Sequence, residues 1–120
     1  MSGDKNNLRV GDYLEHIVTA IEKINRYTKN MDRQGFLDDE KTLDAVAKNL
    51  ENIGEASKRI QAADAELTKQ YPGVPWNKIY AMRVVLAHRY FRIDPEVVWD
   101  TIQNSLPELE EQIREIRKSL

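Results

Sequence analysis

The sequence predicts an all-α domain, a bundle of four to five helices, on three observations. Apolar residues recur at helical spacing through three long segments. Aspartates and prolines stand where those segments begin. No stretch alternates apolar and polar residues as a half-buried strand would, and there is no internal repeat or low-complexity run.

The first helix is expected from about Leu8 to Thr28, where Val10, Leu14, Ile17, Ile21 and Ile24 form one stripe flanked by Tyr13 and Val18. A polar loop, 29–38, should follow, with Phe36 and Leu37 tucked inward. Asp38 or Asp39 suits the N-cap of a second helix running to about Ala62. Its inward face is Leu43, Val46, Ala47, Leu50, Ile53 and Ile60. Gly54, in its middle, costs about 1 kcal/mol against alanine, and close approach of another helix is the simplest reason to keep it. A short polar helix from about Ala63 to Lys69 ends before the turn signal Pro72-Gly73. Pro75 suits the first position of a helix over roughly Trp76–Tyr90. After the loop Phe91-Arg92-Ile93, Asp94 as N-cap and Pro95 open the last helix. There Val98, Ile102, Leu106, Leu109, Ile113 and Ile116 face inward, and Pro107 should kink the helix.

With 120 residues, residues 1–120 make one domain. No apolar run approaches the roughly 20 residues of a membrane helix. The first residues lack a signal peptide's apolar stretch, and the absence of cysteine suits a reducing interior, so a cytoplasmic location is expected. A formal net charge of −2 excludes a bulk polyanion binder, so any nucleic-acid contact must be local. The densest basic patch is Lys78, Arg83, His88, Arg89 and Arg92. Metal binding is not expected, because two histidines 72 positions apart give no ligand spacing. No phosphate-cradling glycine loop is present, so no cofactor is expected.

One helix is unusual. Ile79 to Ala87 is apolar on every side except for Arg83, so it should be buried in the bundle or in a subunit interface. A guanidinium there stays charged and needs a carboxylate or an anionic ligand. On an ideal helix Arg83 and Tyr90 are nearly eclipsed, about 10 Å apart, whereas His88 lies about 140° round from Arg83. Convergence of the three requires a distorted helix end or a second copy across a two-fold axis, so a homodimer holding two motif copies in one cleft is expected.

The segment Arg83-x4-His88-x-Tyr90 resembles the Arg-x4-6-His motif of HEPN-domain ribonucleases, in the form carried by HepT-like toxins that pair with a minimal nucleotidyltransferase antitoxin. Asn52-Ile53-Gly54-Glu55-Ala56, Pro75-Trp76 and Tyr90-Phe91-Arg92-Ile93-Asp94 extend the resemblance over most of the chain. The resemblance implies a HEPN-type bundle and a metal-independent endoribonuclease acting on RNA, the toxin of a type VII HEPN/MNT toxin–antitoxin system. Arg83 and His88 would be catalytic. His88, whose side-chain type titrates near pH 6.5, would move the proton. Arg83 would hold the phosphate oxygens. Tyr90 would be the residue that the antitoxin modifies with AMP, while Lys78, Arg89 and Arg92 would contact RNA or phosphate. Val84 departs from the polar residue that often follows the motif arginine.

Blander readings exist for each residue. Arg83 could form a structural ion pair with Glu51 or Glu55. His88 could be a helix C-terminal histidine favoured by the dipole, and Tyr90 an amphipathic residue at a core edge. Trp76 and Trp99 read as packing anchors, and His16 as a solvated residue. Two functional alternatives follow: a non-catalytic partner subunit of a nucleotidyltransferase, or a plain helical dimerisation domain.

Overall fold

A computed structural model describes the backbone of residues 2–88 and 93–120, and the side chains of residues 9–87 and 93–120. Every described element is helical: α1 (Ser2–Thr28), α2 (Arg33–Leu37), α3 (Glu40–Ala63), α4 (Ala65–Gln70), α5 (Trp76–His88), α6 (Pro95–Asp100), a π-helical segment (Thr101–Ser105) and α7 (Leu106–Lys118). No described helix is long and apolar enough to cross a membrane.

The long helices follow their apolar stripes. Val10, Leu14, Ile17, Ile21 and Ile24 of α1 are fully buried, and α1 lies along α3 and α7. From α7, Ile113 and Ile116 complete that core. Two ion pairs tie the rims of α1 and α7 together, Arg117 to Glu15 at 2.6 Å and Arg114 to Glu22 at 3.3 Å. Arg114 also holds Glu110 at 2.9 Å, and that hydrogen bond, more than Glu22, raises its pKa.

Helix ends carry the expected chemistry. Asn30, at φ 67°, takes the left-handed conformation that stops α1. Asp39 caps α3, accepting from the Thr42 N–H at 3.0 Å and the Thr42 hydroxyl at 2.7 Å; these bonds to its ionised form lower its pKa. Asp64 caps α4, and Asp94 caps α6 with Pro95 in the first turn. The Val74 N–H donates to the Tyr71 carbonyl at 3.1 Å across Pro72-Gly73, closing the anticipated turn.

The structure departs from expectation in several places, one being α4, which starts at Ala65 after the Asp64 cap and not at Ala63. Helix α1 begins earlier, at Ser2. The 29–38 loop contains the one-turn helix α2, capped by Asp32, which drives Phe36 into full burial against Trp99, ring centroids 5.3 Å apart. Pro75 precedes α5, its carbonyl accepting the first helical bond from the Ile79 N–H at 3.0 Å.

Pro107 acts on the helix upstream of itself. With no N–H, and a ring that crowds the carbonyl four residues back, it breaks the regular ladder. The chain responds with the π segment just before it, where the Leu106 N–H reaches back five residues to the Thr101 carbonyl. Ile102 and Leu106 thereby stay buried on either side of the irregularity.

Candidate active site on the α3–α5 crossing

α5 runs antiparallel to α3, and polar contacts mark the pairing. Gln61 donates to Asn77 at 3.0 Å, and Lys58 donates to the Tyr80 hydroxyl at 3.1 Å, with its ammonium 4.4 Å from the ring centroid. Ser57 donates to the Trp76 carbonyl at 3.4 Å. The next contact is the tightest. A Cβ built on Gly54 would stand 2.2 Å from Arg83 Cβ, 2.9 Å from its Cγ and 3.1 Å from the Ile79 carbonyl oxygen. Gly54 is therefore where the two helices touch, and Arg83 is what touches it.

Beyond that contact the Arg83 guanidinium approaches Glu55, Nε to carboxylate 3.3 Å. The same carboxylate receives Arg59 Nε at 3.2 Å on its other oxygen. Both distances exceed the about 2.7–2.9 Å of a tight charge-assisted hydrogen bond. The Arg83 side chain keeps 32% of its exposure, so the cation is held at the surface of the crossing and is not sealed inside it.

Arg83 thus has the carboxylate partner that a structural reading expects, Glu55 and not Glu51, yet stays open to a ligand. Sequence reasoning missed Arg59 as a sharer of that carboxylate. Its signal was present: it lies one helical turn after Glu55 on α3.

The uniformly apolar helix is not uniformly buried. Leu86 faces the core, Ile79 and Met82 pack against it, and Ala81, Ala87 and Val85 are exposed, Val85 by 62%. Lys78 lies one and a half turns before Arg83 and lines a different cleft, of about 320 Å³, between α5 and the π segment and α7. The structure does not bring Lys78 to Arg83. His88 is the last residue of α5, with only its backbone described, and Arg89, Tyr90 and Arg92 lie outside the described residues. Trp76 is buried, donating to the Tyr71 carbonyl at 3.3 Å, so both tryptophans anchor packing; His16 is exposed. Among the described residues no group of three His, Asp or Glu could hold a metal ion.

An all-helical bundle with a half-open arginine pinned at a glycine crossing, five residues before a histidine, defines a class that comparison with known proteins makes specific. The chain belongs to the ribonuclease HepT-like family, whose model matches residues 17–116. A probable ribonuclease HepT of Thermococcus cleftensis is 40% identical over 107 residues, 89% of this chain and 94% of that protein. A candidate RNase of Caldanaerobacter subterraneus is 36% identical over 87% of this chain and 90% of its own length. A combined gamma-glutamylcyclotransferase and candidate RNase of Methanocaldococcus jannaschii is 34% identical over 90% of this chain but only 47% of that longer protein. No solved structure matches.

Gly54→Ala tests the crossing. The added methyl meets a Cβ and a backbone carbonyl, neither of which can swing aside, so α5 must shift. The expected cost is about 1–3 kcal/mol in a urea melt, as for other overpacked cores. An unchanged midpoint would mean that α5 moves freely on α3.

Proposed function

We propose that this protein is a metal-independent endoribonuclease, the toxin of a type VII HEPN/MNT toxin–antitoxin system, acting in the cytoplasm as a homodimer. The observation that carries the reading is Arg83: a cation fixed by packing at Gly54, loosely paired with Glu55 and a third exposed. RNA supplies its own nucleophile. The 2′-hydroxyl attacks the adjacent phosphorus, its proton passing to His88, and the P–O5′ bond breaks as the leaving oxygen takes up a proton. Arg83 stabilises the charge on the non-bridging oxygens. The products are a 2′,3′-cyclic phosphate and a 5′-hydroxyl.

Incubation of the unmodified protein with RNA and a chelator tests this. Cleavage should persist, leave those termini, and fall by at least about a hundredfold in Arg83→Ala and in His88→Ala. Cleavage at the wild-type rate in His88→Ala overturns the assignment.

Arg83 and position 88 are about 140° apart on a regular helix, which is why the reading includes a second copy. Support comes from the apolar face that α5 leaves in water. Ala81 and Val85 share one side of the helix, and position 88, seven residues on from Ala81, continues it. Val85→Glu places a charge on that face without disturbing the core. Sedimentation should show a monomer where the wild type is a dimer, with cleavage lost. A wild type that is monomeric throughout removes the shared cleft.

Neutralisation follows from Tyr90. The partner nucleotidyltransferase would direct its hydroxyl onto the α-phosphorus of ATP, forming the O–P bond as pyrophosphate leaves. The AMP then adds bulk and negative charge where an RNA phosphate must sit. Arg89 and Arg92 would hold RNA or that AMP group. Co-expression with an active partner should add the mass of one or more AMP units on the Tyr90 peptide; its persistent absence overturns this regulation. The competing reading, a non-catalytic partner subunit of the transferase, is favoured by Val84, half-buried directly after the motif arginine.

A further inference from the structure

On the face of α3 turned toward α1 lies a groove of about 490 Å³. Its α1 wall carries Tyr13, His16 and Lys23, and its α3 wall carries Asn52, Glu55 and Arg59. Glu55 belongs to both places: it lines the groove and holds Arg83. One carboxylate therefore joins the groove to the cation assigned to the scissile phosphate.

From Tyr13 to Lys23 the α1 wall extends about 15 Å at 1.5 Å per residue, enough for a short stretch of extended strand. Its charge is asymmetric. Lys23 and Arg59 line the groove with a single carboxylate, Glu55, which Arg59 already shares with Arg83. The acids on the far rim of α1, Glu15 and Glu22, are occupied by Arg117 and Arg114 of α7. Lys23 and His16 carry no ion pair among the described residues. Tyr13 and His16 stand side by side, ring centroids 6.1 Å apart and nearly perpendicular, which leaves ring surface for a base. Exposed cations along a channel with aromatic rings in its wall are the means by which proteins hold single-stranded nucleic acid without reading its sequence.

We propose that the α1–α3 groove is an RNA-binding subsite: Lys23 and Arg59 hold backbone phosphates of the single strand flanking the cut, and Tyr13 and His16 stack on its bases. The inference rests on the ribonuclease reading and extends it, since the strand leaving the Arg83 site must lie on the surface of one copy or the other. The net charge of −2 is no obstacle, because the cations are gathered where the strand runs.

The test separates binding from chemistry by using a fluorescent single-stranded oligoribonucleotide with 2′-O-methyl groups, which has no nucleophile and cannot be cut. Affinity is read by anisotropy across a salt series. Lys23→Ala and Arg59→Ala should each weaken binding several-fold and lower the slope of log K against log salt by about 0.7, one phosphate contact in a single strand. Lys41→Ala, an exposed lysine outside the groove, removes the same charge and should change neither. Photo-crosslinking of a 4-thiouridine strand should label the peptide containing Tyr13 and His16. Wild-type affinity and slope in both groove variants, from a protein that still cuts unblocked RNA, overturn the groove and leave the nuclease standing. Groove-dependent binding without any cleavage overturns the nuclease and leaves the groove. Absence of binding and cleavage overturns both.

Discussion

The contact of Gly54 with Arg83 sets the geometry on which everything around it depends. Any side chain at position 54 would occupy the space of the arginine's own Cβ, so the closeness of α3 and α5 and the placing of the cation are one fact. The following residue, Glu55, supplies the counter-charge, and the turn after that supplies Arg59. The ion pair itself is a minor source of stability: both side chains keep about a third of their exposure, and pairs so wetted contribute at most about 1 kcal/mol. What fixes Arg83 is packing of its stem. The carboxylate orients the head.

Around this crossing the bundle divides into a conventional core and an unfinished edge. α1, α3 and α7 satisfy each other's apolar stripes, down to fully buried Ile17, Ile60 and Ile113. By contrast α5 packs mainly on α3 and leaves Val85 in water. Burial of one such valine is worth about 1.5–3 kcal/mol, whereas association costs at least about 4 kcal/mol in lost freedom. The exposed face of α5 is therefore too small to hold two chains together by itself.

The sequence made the core legible because each stripe has one period and one partner face. Caps were legible for a similar reason: Asp39 and Asp94 act on N–H groups two or three residues away, and no distant contact competes with them. The Gly54 approach could be anticipated, though not that Arg83 would be what approached. Pro107 announced an interruption, but whether the chain would kink or widen into a π turn depends on keeping Ile102 and Leu106 both inside, a tertiary demand. α5 was the hardest to read. A helix apolar on all sides carries no moment to say which side is covered, and so its open face became visible only once its neighbours were in place.

Why one carboxylate should serve two arginines can be argued from the cost of moving a charge. An arginine locked to a private acid would have to abandon it to grip a phosphate, leaving a partly buried carboxylate uncompensated, a loss that rises steeply with burial. Here Glu55 keeps Arg59 Nε on its other oxygen if Arg83 turns away, while the terminal nitrogens of Arg59 stay open to a phosphate. The pairing is loose enough to yield and redundant enough to yield cheaply, while the Gly54 contact prevents the arginine's stem from following its head. Such a cation is positioned without being spent, which is the property a phosphate-binding group needs before its substrate arrives.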